Sequence, residues 1–199
     1  MAVLPESPPL TGEEQRLLLR AARESLRAHL EGRERPDGAL LPGTLSEVRG
    51  VFVSLHNGDR LRGCTGYIEG LKPLQEAVQE LAVASGTRDR RFPPVTAGEV
   101  DELEVEVSVL SPLAPVAAFS EIEVGRHGLY VRHGYRSGLL LPQVATKYGW
   151  DVETFLAHTC DKAGLPANAW REVEGIEIYA FTAQIFHEPA PRPGVVQGS

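Results

Sequence analysis

A chain of 199 residues with 42% apolar side chains is long enough to bury one large core or two small ones, which excludes a disordered chain. Its net charge of −7 argues against generic nucleic-acid binding by phosphate neutralisation, and no apolar run approaches the length of a membrane-spanning helix. The two cysteines, Cys64 and Cys160, make no disulfide framework and fit a reducing, cytoplasmic setting, while a single Cys64–Cys160 bridge stays open.

In chain order, residues 1–10 contain Pro5, Pro8 and Pro9, lack the basic start and apolar core of a signal peptide, and read as an extended arm. Thr11 and Glu14 form a capping box, after which Leu17, Leu18, Ala21, Ala22, Leu26 and Leu30 recur at helical spacing. Residues 31–50 are rich in Gly, Pro and charge and read as a loop. Residues 51–56 predict a strand, Asn57-Gly58 a hairpin turn, and residues 59–68 the return strand. That return strand carries Leu61-Arg62-Gly63-Cys64-Thr65-Gly66, whose glycines predict a bulge or tight bend. Pro73 opens a helix that closes at Ser85-Gly86.

The loop TRDRRFPPVT follows, with Arg88, Arg90 and Arg91 around Asp89 and before Phe92; it is either a solvated surface or an anion clamp. Thr96 and Glu99 form a second capping box, and residues 103–110 alternate strictly as a half-buried strand with Glu104, Glu106 and Ser108 outward. Surface solubility accounts for those two glutamates, since no His or Asp nearby completes a ligand set. Short strands are expected over residues 129–132 and 138–141, with turns at Gly125-Arg126-His127-Gly128 and His133-Gly134. His127 serves either its turn or proton transfer. Helices over residues 142–148 and 151–163 are broken at Gly149; Cys160 lies on the apolar face of the second, and Gln143 either caps the first or offers its amide to a ligand. Residues 175–186 predict one long strand, and the proline-rich residues 187–199 a disordered tail. The mixture of strands and helices without a βαβ rhythm gives an α+β fold built on antiparallel hairpins.

Phosphate loops, GxGxxG, CxxC, HExxH and GxSxG are all missing from the sequence, so it offers no motif for a cofactor, a metal or a serine nucleophile. A Cys64–His127 dyad survives that screen, because a thiolate needs only a nearby base or positive field. A cysteine of this kind is equally at home as a small packed hydrophobe.

LRGCTG, RDRRFPP, LEVEVSVLS, VGRHGLYV and GLLLPQVATKYGWDVETFL, in that order, together resemble the AMMECR family, also called AmmeMemoRadiSam system protein A. The resemblance runs from Thr11 to Phe186, the extent of a single domain. It implies an α+β architecture of two unequal lobes, the chain ends contributing to the larger one, antiparallel sheets with flanking helices, and an RGC motif near the groove between the lobes. It also implies association with a Memo-like protein and a radical SAM protein. Residue by residue, Arg62, Gly63, Cys64, Gly66, Asp89, Arg91, Phe92, His127, Pro142 and Gln143 match its pattern; of these, Arg62, Gly63, Gly66, Arg91, Phe92 and Gln143 are the candidate ligand-binding positions and Cys64 and His127 the candidate catalytic ones. Thr65 departs from the usual isoleucine, and Arg90 from the proline of a DPRF motif. The expected function is capture of a small anionic molecule or modified side chain. Arg62 and Arg91 would supply charge, Cys64 a thiolate of lowered pKa, and His127 a proton relay. The alternatives are a non-catalytic interaction module with a structural Cys64, and a nucleic-acid-associated factor using Arg88, Arg90, Arg91 and Arg132.

Overall fold

Thr11 caps the first helix as its sequence dictates, with the Glu14 carboxylate answering from the third helical position. The protein, seen in a computed structural model, is described over residues 8–35 and 43–189; the arm at residues 1–7, the loop over 36–42 and the tail from 190 lie outside the described residues. Over the described residues the chain divides into two units: an outer one, Pro9–Val109 with residues 185–189, and an inserted one, Leu110–Gln184.

In the outer unit, helix α1 (Gly12–Leu30) and helix α2 (Leu74–Thr87) accompany strands β1 (Val51–Asn57), β2 (Arg60–Tyr67), β3 (Glu104–Leu110) and β8 (Ala183–His187). The strands form a sheet in the order β2-β1-β3-β8, with β1 antiparallel to both β2 and β3. Alternation sends Val51, Val53 and Leu55 from β1, and Val105, Val107 and Val109 from β3, into one core with Leu18, Leu26, Leu74 and Val78 of the helices. Burying each such side chain contributes about 1.5–3 kcal/mol. Leu10, read from sequence as part of the arm, is 3% exposed and joins this core.

In the inserted unit a second sheet has the order β4-β7-β5-β6, built from β4 (Ala114–Pro115), β5 (Gly128–His133), β6 (Arg136–Leu140) and β7 (Glu177–Phe181). Helices α3 (Pro142–Tyr148), α4 (Val152–Lys162) and α5 (Ala169–Glu172) complete it. Its core gathers Leu129 and Val131 with Phe155, Leu156, Cys160 and Trp170, and Cys160 is fully buried as expected of a helix core position. Gly149 ends α3 with φ of +64°, a left-handed cap that a side chain resists. Among the described residues no helix is long and apolar enough to cross a membrane.

Three expectations shift. Both hairpin loops fall one residue later than the X-Gly signal suggests: Asn57 pairs with Arg60 and His133 with Arg136, so Gly58 and Gly134 take the first loop position, at φ of +55° and +59°. The long strand expected over residues 175–186 is two strands in two sheets. The break falls at Thr182, where the Ser111 amide donates to the Thr182 carbonyl at 2.9 Å and the Thr182 amide donates to Ser111 Oγ at 2.9 Å. Finally, β8 continues through His187, and Glu188 accepts from Arg23 and from the Val105 amide, so the chain stays in the sheet beyond the expected start of the tail.

Candidate functional site

Leu55 of β1 faces Gly63, but His56 faces Leu61, which leaves Arg62 as the extra residue of a β-bulge. The sequence reading placed an irregularity at the glycines; it falls one residue earlier and re-aims an arginine. The glycines themselves answer to packing. A Cβ at Gly63 would lie 1.9 Å from the Ser85 carbonyl oxygen, and one at Gly66 would lie 2.2 Å from the Phe52 ring. Gly63 therefore admits the last turn of α2 against the strand. Ser85 fastens that contact: its hydroxyl donates to the Val53 carbonyl at 2.8 Å and accepts from the Thr65 amide at 3.0 Å. Thr65, unusual for the resemblance, places its Oγ1 2.9 Å from the same Ser85 oxygen.

β2 is an outer strand of its sheet, so its outward main-chain groups need other partners. The loop after α2 supplies them. Asp89 Oδ2 accepts the Cys64 amide at 2.9 Å, while Arg91 Nη2 donates to the Cys64 carbonyl at 3.1 Å. Arg91 also donates to Asp89 through Nε at 2.9 Å and Nη2 at 2.6 Å. The Arg91 guanidinium holds the Asp89 carboxyl far below the usual carboxylate range, with the Cys64 and Arg91 amides adding to the effect.

Beside this latch an open depression of about 720 Å³ is lined by Asn57, Arg60, Leu61, Arg62, Phe92, Pro93 and Glu99. Arg62 donates to Glu99 at 2.9 Å and reaches the Pro93 carbonyl at 3.4 Å. Glu99 is itself fixed by the Thr96 amide and hydroxyl, and the amide bond first, then Arg62 and the Thr96 hydroxyl, hold its carboxyl below the ordinary value. The charges of Arg62 and Arg91, both expected to meet an anion, are thus already balanced. Arg60 is exposed and its side chain has no hydrogen-bond or ion-pair partner among the described residues, so it brings an unbalanced positive charge to the depression.

Cys64 is partly buried and Cys160 buried, and neither is in a disulfide. Its expected low pKa is overturned: burial pushes the thiol up, and the Ser54 hydrogen bond and Arg91 charge offset this only in part. Asp89 and Glu106 push the same way as burial. Register explains the reach of Ser54 and Glu106, since Cys64, Ser54 and Glu106 lie in one row across β2, β1 and β3.

His127 and Gln143 belong to the inserted unit, whereas Arg62, Gly63, Cys64, Gly66, Arg91 and Phe92 belong to the outer one. His127 is 5% exposed and pins its own turn: Nδ1 accepts the Glu123 amide at 3.1 Å, and the ring bonds the Glu121 backbone. Burial holds its pKa below the ordinary value. The ring of the expected proton relay is therefore engaged by the backbone of its own turn. Gln143 follows Pro142 at the start of α3, its Oε1 buried without a hydrogen-bond partner among the described residues. No group of three or more His, Cys, Asp or Glu among the described residues is placed to hold a metal ion.

Sequence reasoning gave no site role to Arg60, Asp89, Glu99 or Ser85, although Asp89 stands in the matched motif and Glu99 in the expected capping box. Asp89 and Glu99 carried a signal in their spacing to Arg91 and Thr96; Arg60 and Ser85 acquire their roles only through the strand register and the approach of α2.

Two antiparallel four-stranded sheets with flanking helices, and a bulged Arg-Gly-Cys edge strand held by an Asp-x-Arg-Phe loop, define an α+β protein of a recognisable class. The chain belongs to the AMMECR1 family, whose sequence profile matches residues 19–186. It is 47% identical over 189 residues to a protein of Methanothermobacter thermautotrophicus, covering 90% of this chain and 97% of that one. Protein MJ0810 of Methanocaldococcus jannaschii is 44% identical over 196 residues, covering 94% and 96%. The crystal structure of the uncharacterised protein PH0010 from Pyrococcus horikoshii superposes with a TM-score of 0.86 at 43% identity, covering 93% of this chain and 96% of that one.

Proposed function

We propose that this AMMECR1-family protein is a ligand-binding component, and that the depression beside the RGC strand captures a small anionic molecule. The observation that carries this reading is the unbalanced Arg60 guanidinium at a depression of about 720 Å³ walled by Leu61, Phe92 and Pro93. That volume lies within the range of sites for small molecules, and an apolar wall with one open cation suits an anionic group on an apolar body. Arg62 with Glu99 and Arg91 with Asp89 act as fixed polar walls, and Gly63 and Gly66 bring the strand close to α2 and to Phe52. The raised thiol pKa and the use of the His127 ring within its own turn favour binding over nucleophilic catalysis by Cys64. Family resemblance supports a place for the protein in a cytoplasmic three-protein system with a Memo-like protein and a radical SAM protein.

Phenyl phosphate, which joins an anion to a ring, is the probe. Calorimetric titration is expected to give saturable binding to the wild-type protein, weakened roughly tenfold or more in Arg60→Ala. Equal affinity in the variant, or no saturation of the wild-type protein, overturns the reading. Affinity purification of the full chain with the Memo-like and radical SAM proteins tests the partnership, and failure of both to co-purify removes it.

A further inference from the structure

The loop that carries Phe92 and Pro93 is anchored at its ends, where the Arg88 amide donates to the Ala84 carbonyl at 2.8 Å and the Val95 amide to the Gly86 carbonyl at 2.7 Å. Between those anchors, hydrogen bonds from the loop to β2 among the described residues run through two points. One is the long 3.4 Å contact from Arg62 to the Pro93 carbonyl. The other is the pair Asp89 and Arg91, which takes both main-chain groups of Cys64.

The second point dominates. Asp89 has 6% of its side chain exposed and accepts four hydrogen bonds, from the Cys64 amide, the Arg91 amide, Arg91 Nε and Arg91 Nη2. Bonds to a carboxylate that is almost out of water are shorter and stronger than a neutral contact at the edge of hydrogen-bonding range. The Asp89 carbonyl also accepts the Phe92 amide at 3.1 Å, so one residue grips the strand with its side chain and the pocket wall with its backbone. The Arg91 guanidinium lies over the Phe92 ring, 5.4 Å from its centroid, and does not itself line the depression. Asp89 and Arg91 stand behind the wall that Phe92 presents.

We infer that Asp89 is the positioning residue of this site: by clamping Arg91 and the Cys64 main chain, it sets the distance between the Phe92–Pro93 wall and the Arg60–Arg62 strand. The inference rests on the depression being the ligand site, and it assigns Asp89 a role in capture without contact to the ligand. Arg91 is its working partner, because only a planar guanidinium spans the carboxylate and the Cys64 carbonyl together.

Asp89→Asn and Arg91→Lys, each in the full chain, test it by three measurements: hydrogen exchange of the Cys64 amide, the fluorine resonance of a fluorophenylalanine placed at position 92, and phenyl phosphate affinity. Asp89→Asn is expected to speed Cys64 amide exchange, shift or broaden the residue 92 resonance, and weaken phenyl phosphate binding roughly tenfold, with helix α2 amides still protected. Arg91→Lys is expected to move all three the same way by less, and it carries the test if Asp89→Asn does not fold. Wild-type affinity in a variant whose Cys64 amide has become labile overturns the positioning role. An unchanged Cys64 amide and residue 92 resonance overturn the latch. Should the wild-type protein take up no phenyl phosphate, the binding reading fails and the positioning role falls with it, while the residue 92 resonance still decides whether the latch sets the wall.

Discussion

His127 shows how a single side chain can invite a catalytic reading and serve another purpose. The ring bonds the backbone of Glu121 and Glu123 within its own turn, and burial favours the neutral imidazole. The folded-state pKa is thereby held below the unfolded value of about 6.5. The unfolded chain takes up the proton first, so this contribution to stability is complete above that pH and is lost as pH falls through the folded pKa. Urea midpoints between about pH 7.5 and 5 should fall on the acid side for the wild-type protein and fall less for His127→Gln; parallel curves would mean that the ring is not held neutral. The same lesson applies to the arginines. A sequence displays formal charge but not its counter-ion, and Glu99 lies far along the chain from the Arg62 it balances. Arg60 was overlooked because nothing in its neighbours distinguishes it; its importance comes from what its neighbours lack.

At the scale of elements, β2 and α2 are joined by an absence of side chain at Gly63 and a presence of hydroxyl at Ser85. Gly63→Ala forces a methyl group into the Ser85 carbonyl, and neither partner can yield, since both are backbone. A loss of about 3 kcal/mol or more is expected by urea unfolding, with α2 amides exchanging faster; a change below about 0.5 kcal/mol would show that the helix can simply step away. Most elements were legible because their periods are local: 3.6 residues for α1, α2 and α4, and two for β1 and β3. The glycine-marked hairpins were legible to within one residue. The division of residues 175–186 into β7 and β8 was not, because its cause is Ser111, which no local pattern near Thr182 reveals. The bulge at Arg62 was only half visible, since glycine announces irregularity without saying which residue is left unpaired. The Asp89–Arg91 latch also closes the outward edge of β2, where bare amides and carbonyls would otherwise be free to template another strand.

For the whole molecule, the α+β class and the family could be read from the sequence, while the interruption of one unit by another came only as an implication of the resemblance and from no local pattern, because interruption is a property of the chain's path. Phe186 of β8 is 6% exposed in the outer core, alongside residues more than seventy positions earlier. Phe186→Ala should cost about 3–5 kcal/mol, read as an earlier urea transition of the outer unit; a loss under about 1 kcal/mol would make β8 an ornament of the sheet. The position of β8 has a further consequence for how the protein is born. A ribosome delivers α1, α2 and the first three strands early, then the whole of Leu110–Gln184, and only afterwards the strand that covers β3. The inserted unit emerges with all its residues in one stretch and can close as soon as it clears the exit tunnel. The outer unit, though begun first, waits with β3 uncovered, so during synthesis the oldest part of the chain is the last to finish and the most dependent on protection from its neighbours.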